Sequence, residues 1–415
     1  MALPTNVLQT VQTYQDSGLA YLLNSFCFIN KANKKFKDFQ NKEANLGDTV
    51  GFDLPPRYTT ANSLIASFQP STQRLDTLTV DKAVNTAYAF SAQQFIFNVR
   101  DYMDKFGKSA VMEIGSQVEA DVAEVAKTST YRFYGDGVTA INSYNQLAEA
   151  LAYFRNFGAA KDMVRGILPD IEVPAIIGSG LNQFVMSRNN EIANSWELGR
   201  FSMCDWYQSN LLPIHTAGTD AQAQTTLTVV STNDPTGANV TAITFSGTAS
   251  ASDADSVKEN DLFQFQDGVA GQTDLRYLTF IGHKQSANPV QFRATADAAS
   301  TGASQVTISI DPPLVWAATA NQNLNVQIAA GMQVVGVPSH RAGLIYSGDA
   351  LFLAMPRLPE EIPFPTANKA DPDSGCSMRM YYGSLFGQNQ RGFVHDVIWG
   401  KRLVPEYAMR LCFPL

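Results

Sequence analysis

The period of the hydrophobic positions changes several times along the chain. The strongest signal lies at Val111, Ile114, Val118, Val122 and Val125. Steps of three and four residues put all five on one face of an α-helix, while Glu113, Glu119, Asp121, Glu124 and Lys127 fall mostly elsewhere. The spacing predicts a helix over 101–128, about 40 Å at ~1.5 Å per residue, against a mean of ~11–12 residues for globular helices. Before it, 49–57 reads as a short strand stopped by Pro55 and Pro56. Residues 78–90 read as one long strand, with Leu78, Val80, Lys82 and Val84 on one parity. Ser91 and Gln94 fit a capping box. A second helix opens at Ser143, with Gln146 as box partner, Leu147, Leu151 and Phe154 as its stripe and Gly158 as C-cap. The Gly135-Asp-Gly137 run is a turn signal. The apolar run 171–177 reads as a short buried strand, a third helix is expected from Ser179, and 201–215 is extended and aromatic.

The text changes at Thr216. From there to 330 it is rich in Ala, Thr, Ser, Gln and Asn, and short alternating runs recur at Leu227/Val229, Ile243/Phe245, Phe263/Phe265, Leu275/Tyr277 and Val306/Ile308/Ile310. Such runs between turn clusters predict an all-β barrel or sandwich, here inserted into an α+β host. After Gly331, 340–361 reads as a short apolar helix with a Pro-rich exit, and 392–411 as a strand pair turning at Gly400-Lys-Arg. Residues 1–50 resemble an arm, and the polar stretch 58–76 a loop without a core of its own.

Composition sharpens this picture. Charged residues are 16% of the 415, against roughly 25% in an average soluble protein, so the surface is either rich in neutral polar groups or covered by partners. A net charge of −8 argues against a dedicated nucleic-acid binder. No apolar run approaches the ~18–20 residues of a membrane span, and no secretory signal is expected. Cys27, Cys204, Cys376 and Cys412 are scattered, which fits reduced thiols rather than a disulfide framework or structural zinc. The 25 Phe and 15 Tyr exclude global disorder.

The search for chemistry returns little. His215, His283, His340 and His395 show no metal-ligand spacing and read as loop or surface histidines. No phosphate-binding glycine motif or nucleophile elbow is present. Asp253-Ala-Asp255 and Asp371-Pro-Asp373 read as solvated polar loops. The cluster Lys31, Lys34, Lys35, Lys37 and Lys42 suits contacts to DNA phosphates or an acidic partner as well as it suits a solvated arm. No catalytic residue, cofactor or metal is expected. A low-charge surface with an arm, a long loop and a β insertion points to contact with copies of itself.

Several motifs, in order, resemble the major capsid proteins of tailed double-stranded DNA phages with the Hong Kong 97 fold, phage P-22 coat protein type. Phe201-Ser-Met-Cys-Asp-Trp-Tyr-Gln-Ser-Asn-Leu-Leu-Pro-Ile-His-Thr-Ala-Gly218 is similar to that family's G-F-D-V-Y-x-S-N-x-L-P-x-H-T-A-G run. Lys258-Glu-Asn-Asp261-Leu-Phe-Gln-Phe with Gly268-Val269 resembles its G-D-x-x-x-x-x-G-V element, with Asn260 in place of the glycine. His340-Arg-Ala-Gly-Leu-Ile-Tyr-Ser-Gly-Asp-Ala-Leu351 and Asp396-Val-Ile-Trp-Gly-Lys-Arg-Leu-Val-Pro-Glu406 resemble later landmarks.

The resemblance implies an arm (1–50), an extended loop (51–76), a peripheral domain with a spine helix (77–135), an axial domain (136–215), an inserted β-barrel (216–332) and a return through the axial and peripheral domains (333–415). It further implies self-assembly into hexamers and pentamers of an icosahedral shell, in a virion assembled in the bacterial cytoplasm. Its partners would be a scaffolding protein, a portal protein and DNA packaged non-specifically, with no membrane. Scaffold and inter-subunit contacts would fall on Asp16 and the lysine cluster, and contacts between capsomers on an acidic loop with Asp253, Asp255 and Glu259. Two other readings stand beside it: a tail or decoration protein, and a hydrolase using two carboxylates ~5–10 Å apart.

Overall fold

All five residues of the 111–125 stripe are buried, and the helix they predict is present in two pieces, Lys108–Ala123 and Val125–Thr128. The computed structural model describes residues 27–33, 46–58, 68, 74–91, 107–157, 163–180, 198–279, 282–348, 350–358, 366–370, 376–384 and 390–415. The first turns expected at 101–106, the capping residue Gln94 and the helix stop Gly158 lie outside them. The chain divides into two units. One comprises Met1–Asp53, Leu75–Ala123 and Leu351–Leu403; the other comprises Leu54–Arg74, Glu124–Ala350 and Val404–Leu415.

In the first unit the 14-residue strand Gln390–Leu403 is the spine of a five-stranded sheet. Its first ten residues pair antiparallel with Lys82–Ser91, and its last four pair with Leu351–Ala354. Its other edge carries Ser377–Ser384 and then Thr366–Ala370. The strand expected over 78–90 is two strands, Arg74–Thr79 and Lys82–Ser91. The parity runs through, but the backbone turns aside at Val80, whose N–H goes to Asp48 O and whose carbonyl accepts from Gly47 N. Arg74–Thr79 pairs instead with Thr49–Leu54.

The turn expected at Gly400 is absent: one strand runs through to Leu403, and the next begins only after the 3-10 turn Pro405–Tyr407. Gly400 serves close approach instead: a Cβ there would lie 2.3 Å from Thr79 O. A glycine inside a strand pattern has both readings, and only the neighbouring backbone decides between them.

The second unit contains a mixed seven-stranded sheet in the order Phe133–Tyr134, Ala408–Phe413, His340–Ser347, Val164–Pro169, Cys204–Ser209, Arg200–Phe201, with Ile214–His215 paired to His340–Ser347. Helix Tyr144–Asn156 packs on it through Leu147, Leu151 and Phe154. Ser143 caps this helix by accepting from Gln146 N, and Gln146 Oε1 accepts from Asn142 N. The 171–177 run is not a strand: helix Val173–Gly180 occupies it, with Val173, Ile176 and Ile177 as its buried face. Pro174 sits in the first turn, where no N–H donor is missed. The apolar helix expected in 340–361 is likewise two strands, His340–Ser347 and Leu351–Ala354. Both are apolar on both sides because both sides are covered, and a continuous apolar run does not distinguish strand from helix.

A closed six-stranded barrel lies in sequence between Ile214–His215 and His340–Ser347. Its strands, Val240–Ser246, Gln305–Leu314, Gln291–Ala294, Leu262–Phe265, Gln333–Gly336 and Thr226–Thr232, pair in that order and return to the first. Closure leaves no strand edge unpaired. Each strand sends alternate residues inward, and Phe245, Phe263 and Phe265 surround Phe292 at ring distances of 6.1, 5.5 and 5.7 Å.

Replacing Gly400 with alanine forces the Thr79 carbonyl away from the long strand. We expect a destabilisation of at least ~1–3 kcal/mol, read as a lower urea midpoint with an unchanged slope.

Candidate functional site

The chain leaves the seven-stranded sheet for the barrel through His215 and returns through His340, and these two residues are register partners in the short pairing of Ile214–His215 with His340–Ser347. Around them lies a buried polar cluster. Asp261, fully buried, accepts from His215 Nε2 at 2.7 Å, from Gly218 N at 3.1 Å and from Lys258 N at 2.8 Å. Its neighbour Asn260 has φ +71°, the left-handed region that glycine and asparagine adopt most readily. An asparagine therefore holds this backbone at little cost. Gly218 is also fixed by space: a Cβ there would lie 2.7 Å from Ser256 O.

Arg410 completes the cluster from strand Ala408–Phe413. It is fully buried. Its Nε donates to Ala126 O and Thr130 Oγ1, both at 3.0 Å, and Nη2 donates to Lys127 O and to Thr130 O. The guanidinium therefore takes carbonyls that the last turn of helix Val125–Thr128 leaves without intrahelical partners, where a cation also meets the negative end of the helix dipole. Nη1 faces His340 Nε2 at 3.4 Å, while His340 Nδ1 donates to Pro338 O at 2.7 Å. Burial pushes Arg410 down to about 10, so it stays a cation. Burial and then Arg410 push His340 down to about 3; burial also lowers His215, opposed by the bond to Asp261.

A carboxamide adds a second link between barrel and sheet. Gln291 pairs with the backbone of Phe133 through both halves of its amide, accepting from N and donating to O at 3.0 Å each. A cleft of about 740 Å³ opens beside it, lined by Tyr134, Gln146, Tyr153, Gln264 and Gln266 among others. Its charged groups are engaged locally: Asp267 pairs with Arg276 at 3.0 Å, and Asp136 accepts from Val138 N and Thr139 N.

Glu406 joins Arg57 to Arg74. It accepts from Arg57 Nη2 at 2.6 Å and from both terminal nitrogens of Arg74. Burial lowers the Arg57 pKa, with Glu406 opposing. Phe68, between Arg57 and Arg74 in sequence, is 97% exposed. In the first unit, Glu119 projects from helix Lys108–Ala123 and accepts from the N–H groups of Cys27, Phe28 and Ile29, at 2.8, 2.6 and 3.0 Å. It caps the helix Cys27–Lys31 from outside. Burial raises its pKa against those three bonds.

The residues singled out from sequence are dispersed. Asp16, Lys34, Lys35 and Lys37 lie outside the described residues, and Lys31 ends the helix Cys27–Lys31. Asp253 is half-buried, and Asp255 and Glu259 are exposed, on the segment that joins Val240–Ser246 to Leu262–Phe265. Asp253 accepts from Asp255 N, and the Glu259 N–H donates to Asp297. The reading of the histidines as loop or surface residues is corrected: His215, His340 and His395 are buried, and only His283 is partly exposed. Arg410 and Glu119 carry no local motif, and their one signal is a charge placed among apolar residues; Asp261 and Glu406 fall within the runs 258–269 and 396–406 without being singled out there. Among the described residues, no three His, Cys, Asp or Glu side chains gather in metal-binding geometry.

No protein-family model matches the chain, and no curated protein matches it in sequence. Among solved structures it is similar to one from Mycobacterium phage Che8, at 8% identity over 93% of this chain and 91% of that one, with a TM-score of 0.46. The capsid of Ralstonia phage GP4 is similar at 7% identity over 94% and 88%, with a TM-score of 0.45. The capsid of Helicobacter pylori bacteriophage KHP30 is similar at 9% identity over 92% of each chain, with a TM-score of 0.42.

Two substitutions test the clamps. Arg410→Met strips donors from several buried acceptors and is expected to cost on the order of 3–5 kcal/mol, read by chemical denaturation. Glu406→Gln leaves two arginines facing one neutral amide; limited proteolysis within 55–73 is expected to accelerate severalfold while the thermal midpoint of the barrel stays unchanged.

Proposed function

We propose that this chain is the major capsid protein of a tailed double-stranded DNA phage or prophage, with the Hong Kong 97 fold and an inserted β-barrel domain. The observation that carries the reading is the meeting of two of its sequence landmarks. The His-Thr-Ala-Gly run and the Asn260-Asp261 element are 42 or more residues apart, and Asp261 bonds to both His215 and Gly218. Asn260 has the positive φ that the motif's glycine would supply. A chance match of short strings would not be expected to bring its pieces into one hydrogen-bonded cluster.

On this reading the chain divides as the resemblance implies, with arm 1–50, loop 51–76, spine helix and peripheral domain 77–135, axial domain 136–215, insertion 216–332 and return 333–415. The last barrel strand, Gln333–Gly336, extends the insertion by a few residues. Copies associate into hexamers and pentamers of a closed shell. The loop clamped by Glu406 reaches a neighbouring copy, and Asp253, Asp255 and Glu259 meet basic groups across capsomer boundaries. The arm, with Asp16, Lys31, Lys34, Lys35 and Lys37, takes scaffolding and inter-subunit contacts. A portal protein and non-specifically packaged DNA complete the partners, and assembly takes place in the bacterial cytoplasm. Weak individual contacts suffice because closure multiplies them, and an acidic subunit encloses DNA without adhering to it.

Negative-stain electron microscopy of the chain, expressed with and without its scaffolding protein, tests this. Closed shells or sheets of hexamers are expected. A monodisperse monomer under both conditions, well above micromolar concentration, would overturn the reading. The paired charge reversals Asp255→Lys and Glu259→Lys are expected to reduce the yield of closed shells at least severalfold while leaving the thermal midpoint of the monomer unchanged.

A further inference from the structure

The two crossings between barrel and sheet carry one histidine each, and the imidazoles lie 5.4 Å apart at 54°. Both are buried. The groups facing them can be named in full from the elements packed there. From the barrel side comes the Asp261 carboxylate, on His215. From strand Ala408–Phe413 comes the Arg410 guanidinium, on His340. Lys127, at the end of helix Val125–Thr128, adds a further positive field at His215. The Pro338 carbonyl takes the Nδ1 proton of His340.

This geometry leaves little room for an added proton. Because His340 Nδ1 already donates, a second proton would go to Nε2, which points at Arg410. Asp261 is the carboxylate at hand, and its oxygens already accept from His215, Gly218 and Lys258. A charge on His215 would strengthen one bond to Asp261 but add a cation beside His340, Arg410 and Lys127. Both imidazoles are thus held neutral by position, at the two points where the chain crosses between sheet and barrel, beside the Gln291 link to Phe133.

We propose that this histidine pair makes the attachment of the barrel an acid-released hinge: protonation parts the Asp261 cluster and frees the barrel from the sheet while the barrel itself stays folded. The barrel can survive the opening because its strands close on one another and Phe245, Phe263, Phe265 and Phe292 pack together from its own strands, while Tyr131 and Phe157 join the cluster from outside the barrel. The lowered pKa of each imidazole agrees in sign. Each neutral form is favoured when folded, so stability is present above the ordinary histidine value and is lost as pH falls toward the folded one. The inference does not depend on the capsid reading.

Hydrogen exchange of the full chain, corrected for intrinsic rates, provides the test. The reporting amides are Gly218 and Lys258, which donate to Asp261. The reference amides are those of Ile243, Phe245 and Ile308 within the barrel ladder. Between about pH 6.5 and 4.5, one neutral-held imidazole increases opening roughly 50-fold in all. Protection of the reporting amides is expected to fall by at least that factor while the reference amides keep theirs. The variant H215Q/H340Q, which takes up no proton there, is expected to lose the response. Equal loss at reporting and reference amides, or an unchanged response in the double variant, would overturn the proposal. Should the double variant fail to fold, imidazole nitrogen shifts of the unaltered chain decide. Neutral His340 is expected until the reporting amides open; a charged His340 with Gly218 still protected would overturn the hinge.

Discussion

A cation with no access to water organises the second unit. Moving a guanidinium out of water costs several kcal/mol even after relaxation, and Arg410 recovers this through carbonyls, a hydroxyl and an imidazole that reach it from separate parts of the chain. The end of helix Val125–Thr128, the strand Ala408–Phe413 and the first residue of His340–Ser347 must all be in place before its donors are satisfied. Such a site adds little net stability over a hydrophobic one. It does penalise any arrangement that leaves a donor unmet, and so selects one mutual placement of these elements.

The same economy of charge recurs. Only 16% of residues are charged, and several of them are inside, joining distant segments. Glu119 ties residues 27–29 to the long helix, Asp121 receives Trp399 Nε1 and pairs with Lys401, and Glu406 gathers Arg57 with Arg74. Each carboxylate meets more than one donor, which is what makes a partly buried charge tolerable. A surface poor in charge and an interior with well-used charges are two views of one distribution.

Much of this architecture was legible in the sequence where one physical cause dominated. The valine stripe needed only helical geometry, the Ser143 cap only a hydroxyl at the right offset, and the barrel strands only alternation between turns. The failures share a cause. Residues 171–177 and 340–354 are apolar whichever way they fold, so period is silent, and the surroundings decided: a proline in a first helical turn for the one, cover on both faces for the other. Gly400 was ambiguous until Thr79 was known to lie against it. The buried cluster was the least legible. His215, Asp261, His340 and Arg410 become partners across separations of 46, 70 and 125 residues, and no local spacing encodes that. Asn260 was marked only as standing in place of a glycine, and its left-handed backbone became visible in the structure.

The long strand Gln390–Leu403 bears on how the protein is made. It is the central partner of Lys82–Ser91, of Leu351–Ala354 and of Ser377–Ser384, and it lies close to the C-terminal end of the sequence. The final strand, Ala408–Phe413, sits inside the other unit's sheet. Neither unit can complete its sheet on the ribosome as a finished N-terminal piece. At ~5–20 residues per second, synthesis leaves Lys82–Ser91 waiting for its partner for tens of seconds. Throughout that interval an unpaired, half-apolar strand is exposed to other nascent chains. The fold therefore carries a built-in demand for protection during biogenesis, and the yield of folded chain is expected to be set by folding helpers.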